Sequence, residues 1–477
     1  MCAGSACIEP GFISSSCSVE LETDYRLHQL GRDGSMRLAI RRGMRLAAGI
    51  LAIGLLVICM ALMAPAAGAA VPPEQDSFYS YEGSTPLANI APGTVLKTRT
   101  LSYHVAGVPL PIKAVQLLYR STGEIGQPMV DVTSVLRPPL RLGAPTIVSY
   151  QSFYDSLNPE DEPSYAISGG VTLGGLIPTV ESGLIAPALL AGETVVVPDT
   201  EGEAADFAAG PEYGMNTLDS LRAVLGSPAS GAAGAKMIGL IGYSGGAIAT
   251  GWAAELASSY APDISSRIVG AAMGGVLVDP AHNLHYVEGS TIWAGVIPMA
   301  VIGVSRAFHV DLTPYLSEYG LQLYNKLQSA SIVTVLGEYP GLTWAQVAKP
   351  EYQTPESVPV YVEVVNQLIM GRRGTPSMPM FIGQGNGGEL EGTSGSKEGI
   401  GPGDGVMIAG DVRSLAREYC SRGVSVQYRE YEHLSHIPSA AVWLPEADAW
   451  LAARFAGLPA PQNCSSIAPG NSLAPIG

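Results

Sequence analysis

Five short runs in this chain are apolar almost without interruption: 146–150 (TIVSY), 194–197 (TVVV), 237–241 (MIGLI), 268–273 (IVGAAM) and 378–382 (MPMFI). A run that does not alternate apolar with polar residues is a strand covered on both faces. Helix-like stretches lie among them, including 216–225 (NTLDSLRAVL) and 247–260 (AIATGWAAELASSY). Strand and helix in alternation leave few folds open, and the reading is α/β: a mainly parallel sheet flanked by helices. Upstream, 95–105, 114–119 and 129–136 are β-branched and partly alternating, with a Ser-Thr-Gly turn signal from Ser121. They read as antiparallel strands at one edge.

Composition supports a large core, since 47% of the 477 residues are hydrophobic and only 14% charged. The 57 Gly and 36 Pro are interspersed among apolar residues, which excludes collagen and bulk disorder. A net charge of -16 argues against a nucleic-acid binder, because such proteins neutralise phosphates with Lys and Arg. No Cys/His cluster has zinc spacing, so neither a metal nor another cofactor is implied.

The expected organisation is as follows. Residues 1–35 carry no recognisable pattern and read as an over-extended start. Residues 36–69 read as a signal peptide: Arg37, Arg41, Arg42 and Arg45 precede an apolar stretch from Leu46 to Ala64, and small residues follow, with cleavage near Ala69. Residues 70–278 and 376–464 form the sheet-bearing core. Residues 279–375 are too long for one crossover and carry helical apolar patterns, so they read as an inserted helical domain. Residues 465–477 read as a disordered tail. Export to an oxidising compartment would let Cys420 and Cys464, the two cysteines outside the leader region, form a disulfide.

Gly242-Tyr-Ser244-Gly-Gly246 is the one GxSxG match. A buried-strand run directly precedes it and a helix-forming run directly follows. Strand, glycine-flanked turn and helix make a nucleophile elbow, in which the serine hydroxyl is raised above the sheet. A serine needs a base, and the base needs an acid to orient it. In the order Ser, acid, His, the base is His436 or, one loop position away, His433. The acid is best placed at Asp404, in the tight loop Gly401-Pro-Gly-Asp404-Gly. Asp411, Glu389, Glu391 and Glu398 compete, but Asp411 reads as the cap of the following helix and the glutamates as members of a solvated loop. The N–H of Gly245 is an expected oxyanion donor. Asp155, in the loop after 146–150, would repel an oxyanion if ionised; it helps only through its N–H or in protonated form.

Six segments, LYRSTGEIGQPMVDVTSVLRP, SYQSFYDS, VVVPDTEGE, IGYSGGA, GPGDGV and YEHLSH, occur in this order between Leu118 and His436. On these the chain resembles the secretory lipase family of α/β-hydrolases, of the yeast lipase A type. The resemblance implies Ser244, Asp404 and His436 as triad, Asp155 and Gly245 at the oxyanion hole, and the insertion as a lid over an acyl-binding tunnel.

The expectation is therefore an exported serine hydrolase, secreted or in the cell envelope, that cleaves carboxylic esters of lipids through an acyl-enzyme on Ser244. Its partners are a lipid or other ester substrate and, transiently, a lipid surface; no nucleic acid is expected. The alternatives are an acyltransferase on the same triad and a lipid-binding envelope protein without turnover. Within the insertion, Trp293, Ile297, Met299, Val301, Ile302, Phe308, Tyr315 and Leu316 supply the apolar surface expected to roof the site.

Overall fold

Strands that bury both faces need neighbours on both edges and helices above and below, and the chain supplies both. The computed structural model describes residues 70–141 and 143–477; the expected leader and start region lie outside the described residues. Among the described residues nine strands form one sheet: β1 (Val95–Val105), β2 (Val108–Thr122), β3 (Pro128–Leu136), β4 (Thr146–Gln151), β5 (Thr194–Pro198), β6 (Met237–Tyr243), β7 (Ile268–Gly274), β8 (Met380–Gly385) and β9 (Val426–Tyr431). Their order is β1-β2-β3-β5-β4-β6-β7-β8-β9. β1, β2 and β3 pair antiparallel at one edge, and β3 is antiparallel to β5. Every pairing from β5 to β9 is parallel.

The helices divide between the two faces. Leu218 and Leu221 of Gly210–Gly226, Trp252 and Ala253 of Gly245–Tyr260, and Leu415 and Tyr419 of Ala409–Ser421 share one core with Leu240 and Met380 of the sheet. On the other face Ile185 and Leu189 of Leu176–Leu190 and Trp443, Trp450 and Leu451 of His436–Phe455 pack on Ile241 and Phe381. The parallel strands therefore point their C-terminal ends at one rim, where Ser244, Asp155, Asp404 and His436 all lie in the turns that follow β6, β4, β8 and β9.

The long segment between β7 and β8 is helical, as expected, with Pro280–Val287, Val296–Ala307, Glu318–Lys326 and Pro359–Gln367 its longest helices. It builds its own apolar core from Ile297, Met299, Ile302, Trp344 and Val358, and that core also takes in Leu157, Phe207 and Met407 from loops of the sheet. Among the described residues no helix is long and apolar enough to cross a membrane.

The last helix runs unbroken from His436 to Phe455 with Pro445 inside it. Two expectations need correction. Asp411 does not cap its helix; the N-cap is Ile408, and Asp411 faces His282 Nδ1 at 3.1 Å and accepts from Asn471 Nδ2 at 2.7 Å. The tail after Cys464 is seated, not free: Ile467 is buried, Asn471 donates its N–H to the Gly410 carbonyl at 3.1 Å, and Ile476 exchanges two hydrogen bonds with the Asn366 side chain, each 2.9 Å. Its polar sequence conceals this because the groups that satisfy its backbone lie on helices far upstream. Cys420 and Cys464 are joined in a disulfide with Cα atoms 5.7 Å apart, which anchors the start of that tail to the end of Ala409–Ser421.

Candidate active site

Ser244 sits between β6 and the helix Gly245–Tyr260 with φ 54° and ψ -120°, a backbone state that non-glycine residues rarely hold. The turn is tight enough that a Cβ on Gly242 would lie 2.1 Å from the Gly246 carbonyl oxygen, and one on Gly246 would lie 2.1 Å from the Gln151 carbonyl oxygen. Any side chain at either position would force the turn open and lower the serine. The Ser244 N–H donates to the Gly274 carbonyl at 2.9 Å, which ties the turn to the neighbouring strand β7.

His436 begins the helix after β9, and its Nε2 lies 2.8 Å from Ser244 Oγ. Its Nδ1 lies 2.8 Å from Asp404 Oδ2. Asp404 is fully buried yet saturated with donors. Its Oδ1 accepts from the N–H of Val406 and Met407, at 3.1 and 2.8 Å, and its Oδ2 also accepts from Gln384 Nε2 at 2.9 Å. The His436 N–H donates to the Asp404 carbonyl at 2.7 Å, so backbone and side chain fix the pair together. Burial by itself would pull the His436 imidazole down, but the Asp404 carboxylate, with Glu391 and Asp155 adding to it, holds it above the ordinary 6.5. The arrangement can carry a proton from a serine hydroxyl to an imidazole whose charge is met by a fixed anion.

His433 is not part of this chain. It is exposed with φ 62°, and its N–H donates to Asn386 Oδ1 at 2.8 Å, so it braces the loop through its backbone. Glu389 is exposed, as expected. Glu391 is not in a solvated loop: it is buried and accepts from Trp293 Nε1 at 2.9 Å.

Asp155 follows β4 with φ 39°, buried beside Gly245. Burial pushes its carboxyl up to about 7, against a weaker pull down from His436. Below that pH it carries a proton, the form in which a carboxyl group can donate to an oxyanion. The insertion holds this loop in place: the Ile332 N–H donates to the Asp155 carbonyl at 2.8 Å, and Ser331 pairs with Ser156 in an antiparallel bridge.

An apolar cavity opens from Ser244, Gly245 and Asp155 and runs under the insertion. Of the insertion residues singled out from the sequence, Trp293, Ile297 and Val301 line it; Met299 and Ile302 are buried in the insertion's own core. Phe308 packs in a smaller cluster with Val364 and Leu368, and Tyr315 meets Tyr352 edge to face. Leu316 is buried and lines a separate, smaller cavity with Trp344 and Val347. The sequence reading missed Phe207, Leu284, Val364 and Leu368 of the lining. Val364 and Leu368 stand four apart, the spacing of one helix face, which is the signal that marks them.

The chain is similar to known proteins in both sequence and fold. Residues 170–463 match the family described as secretory lipase. The chain is 30% identical to Lipase 10 of Candida albicans over 85% of its own length and 86% of that protein's. It is 31% identical, over 81% of this chain and 83% of the other, to a Mycobacterium tuberculosis protein named a probable inactive lipase. In structure it is similar to Candida antarctica lipase A in its closed state, with a TM-score of 0.71 and 25% identity, covering 85% of this chain and 91% of the other.

Proposed function

The chain belongs to the secretory lipase family, with the α/β-hydrolase fold and lipid ester hydrolysis that its relatives support, and from that premise we propose an exported serine hydrolase acting through an acyl-enzyme on Ser244. The observation that carries the serine mechanism is the Ser244–His436–Asp404 hydrogen-bonded chain at the mouth of an apolar cavity.

In this reading Ser244 Oγ attacks the ester carbonyl as His436 Nε2 takes its proton. Asp404 keeps the imidazole in the right tautomer and stabilises the imidazolium without becoming protonated. The carbonyl oxygen becomes an oxyanion, held by the Gly245 N–H and by Asp155 in its protonated form. Collapse breaks the ester C–O bond, and the departing alcohol takes the proton from His436. Water then repeats the cycle on the acyl-enzyme, giving up a proton to His436 and releasing the fatty acid and Ser244. An alcohol in place of that water would give acyl transfer from the same intermediate.

The cavity is the place for the acyl chain and the insertion its lid, since the insertion supplies Trp293, Ile297 and Val301 to the lining. Export follows from the leader read in residues 36–69 and accords with a disulfide, a bond that persists in oxidising compartments. The test is covalent labelling by a fluorophosphonate, followed by peptide mapping and by N-terminal sequencing of the exported protein. Labelling on Ser244 in a chain that starts near Ala70 is expected. An unlabelled protein, or one whose Ser244→Ala variant keeps normal ester turnover, would sink the mechanism.

A further inference from the structure

The glycine-rich loop between β8 and Asp404 contains a short 3-10 turn, Gly388–Glu391, whose side chains divide sharply. Glu389 and Leu390 are exposed, while Glu391 turns inward and is only 8% exposed. A carboxylate withdrawn from water is unfavourable unless donors replace the water. Glu391 has two. Its Oε2 accepts from Trp293 Nε1 at 2.9 Å, and its Oε1 accepts from the Ile437 N–H at 3.2 Å.

Both donors adjoin His436. Ile437 is the next residue, in the first turn of His436–Phe455, where helix N–H groups have no partner within the helix and favour a negative charge. Trp293 comes from the insertion and meets the His436 ring edge to face, with centroids 5.2 Å apart and planes at 81°. Gly405, next to Asp404, leaves room for this junction: with φ 126°, a Cβ there would lie 2.9 Å from Trp293 Nε1 and 3.0 Å from Glu391 Oε2. The carboxylate thus grips two of the surfaces that aim the imidazole, one from the core and one from the insertion.

We propose that Glu391 is a positioning residue for the reaction: it locks Trp293 and the start of the His436 helix around the imidazole and, by its charge, stabilises the imidazolium that forms when Ser244 is deprotonated. This rests on the serine mechanism above. The ionisable groups facing His436 are Asp404 and Glu391 from the β8–β9 segment, Asp155 from the loop after β4, and Tyr243, whose hydroxyl donates to the His436 carbonyl at 2.7 Å. Asp404 bonds the ring directly. Glu391 acts through its neighbours and its field.

The distinguishing experiment is the pH profile of kcat/KM on a soluble ester, using the full exported chain and the Glu391→Gln, Glu391→Asp and Glu389→Gln variants, each checked by circular dichroism. Glu391→Gln keeps the shape and one acceptor oxygen but removes the charge. Neutral His436 is the active base, so losing an anion that favours its protonated form must move the acid limb to lower pH, by about half a unit at this indirect contact. Glu391→Asp retains the charge and must keep the wild-type limb even where its plateau falls. Glu389→Gln, on the exposed side of the same turn, must leave the profile unchanged. A merely structural glutamate would lower the plateau of Glu391→Gln and leave its limb in place, and that result overturns the proposal. Fluorophosphonate labelling run in parallel separates the two readings: an unlabelled wild type overturns the serine mechanism itself, whereas labelled protein with an unmoved limb overturns only the role of Glu391.

Discussion

The Asp155 carboxyl fills the space that a side chain at residue 245 would need: a Cβ on Gly245 would lie 1.7 Å from Asp155 Oδ1. The residue after Ser244 and the loop after β4 are thereby held edge to edge, as the two oxyanion donors of the proposed mechanism need to be. Asp155→Ala is expected to lower kcat by about 10²-fold to 10³-fold with a small effect on KM, as loss of one such donor does. Asp155→Asn, which keeps an N–H donor, should retain more activity than the alanine variant. Steady-state kinetics on a soluble ester below pH 7 decide it; equal kcat in wild type and Asp155→Ala would remove Asp155 from the site.

Asp404→Asn keeps the size of the side chain and an oxygen for the N–H groups of Val406 and Met407, so it should fold and fail in catalysis. An amide at this position favours the wrong imidazole tautomer, and kcat is expected to fall about 10⁴-fold. Asp411→Asn and His433→Ala should stay near wild type, because neither residue reaches Ser244. A dead His433→Ala enzyme would mean that the base has been assigned one loop position away.

Acyl-length preference should respond to the cavity wall. Val301 is half-buried on the lining, and Val301→Phe puts extra bulk into the cavity. Each methylene refused loses about 0.8 kcal/mol, about fourfold in kcat/KM. Long-chain esters should therefore lose more than short ones across a chain-length series. A uniform loss at every length would show that the cavity does not read the acyl chain.

The disulfide closes a loop between residues 44 apart in sequence, and replacing both cysteines by serine should lower stability by about 3 to 4 kcal/mol in the loop-entropy description. Denaturant unfolding measures it. The site lies elsewhere, so kcat at 25 °C should be unchanged; free thiols at both positions in the native exported protein would remove the premise.

Stability should fall as pH rises. Burial raises Glu181 to about 8, and Glu124 and Asp199 to about 7, well above the values they have in an unfolded chain. A carboxyl whose pKa is raised by folding contributes stability that is fully present below its unfolded pKa and lost as pH climbs through the folded value. The net charge of -16 acts in the same direction through self-repulsion. Thermal midpoints near pH 5 should exceed those at pH 9 by several degrees. Activity should run the other way at the acid end, falling as His436 takes up a proton at a pKa above the ordinary 6.5. A midpoint that rises steadily from pH 5 to pH 9 would contradict the burial of these groups in protonated form.

The sheet, the elbow and the Ser244, Asp404, His436 order were legible in the chain because each follows from local rules. An unbroken apolar run of five residues can be satisfied only between helices, and a serine flanked by glycines at 242 and 246 marks a turn that no bulkier pair could make. Chain order then placed the candidate acid best at Asp404 and left the candidate base between His436 and His433, which folding separates: His436 reaches Ser244 Oγ and His433 is exposed. What local rules could not reach was the fate of residues whose partners lie far away. Glu391 reads as one of three glutamates in a glycine-rich loop, and only folding brings it to Trp293, 98 positions earlier. Asp411 looks like a cap until His282 arrives beside it from the insertion. The tail looks disordered until Asn366, 110 residues before Ile476, takes its last hydrogen bonds. Secondary structure is set by periodicity and steric exclusion over a few residues. Whether a given charge is solvated, buried against a tryptophan or paired with a histidine depends on which distant surfaces packing brings together, and that is decided by the tertiary structure alone.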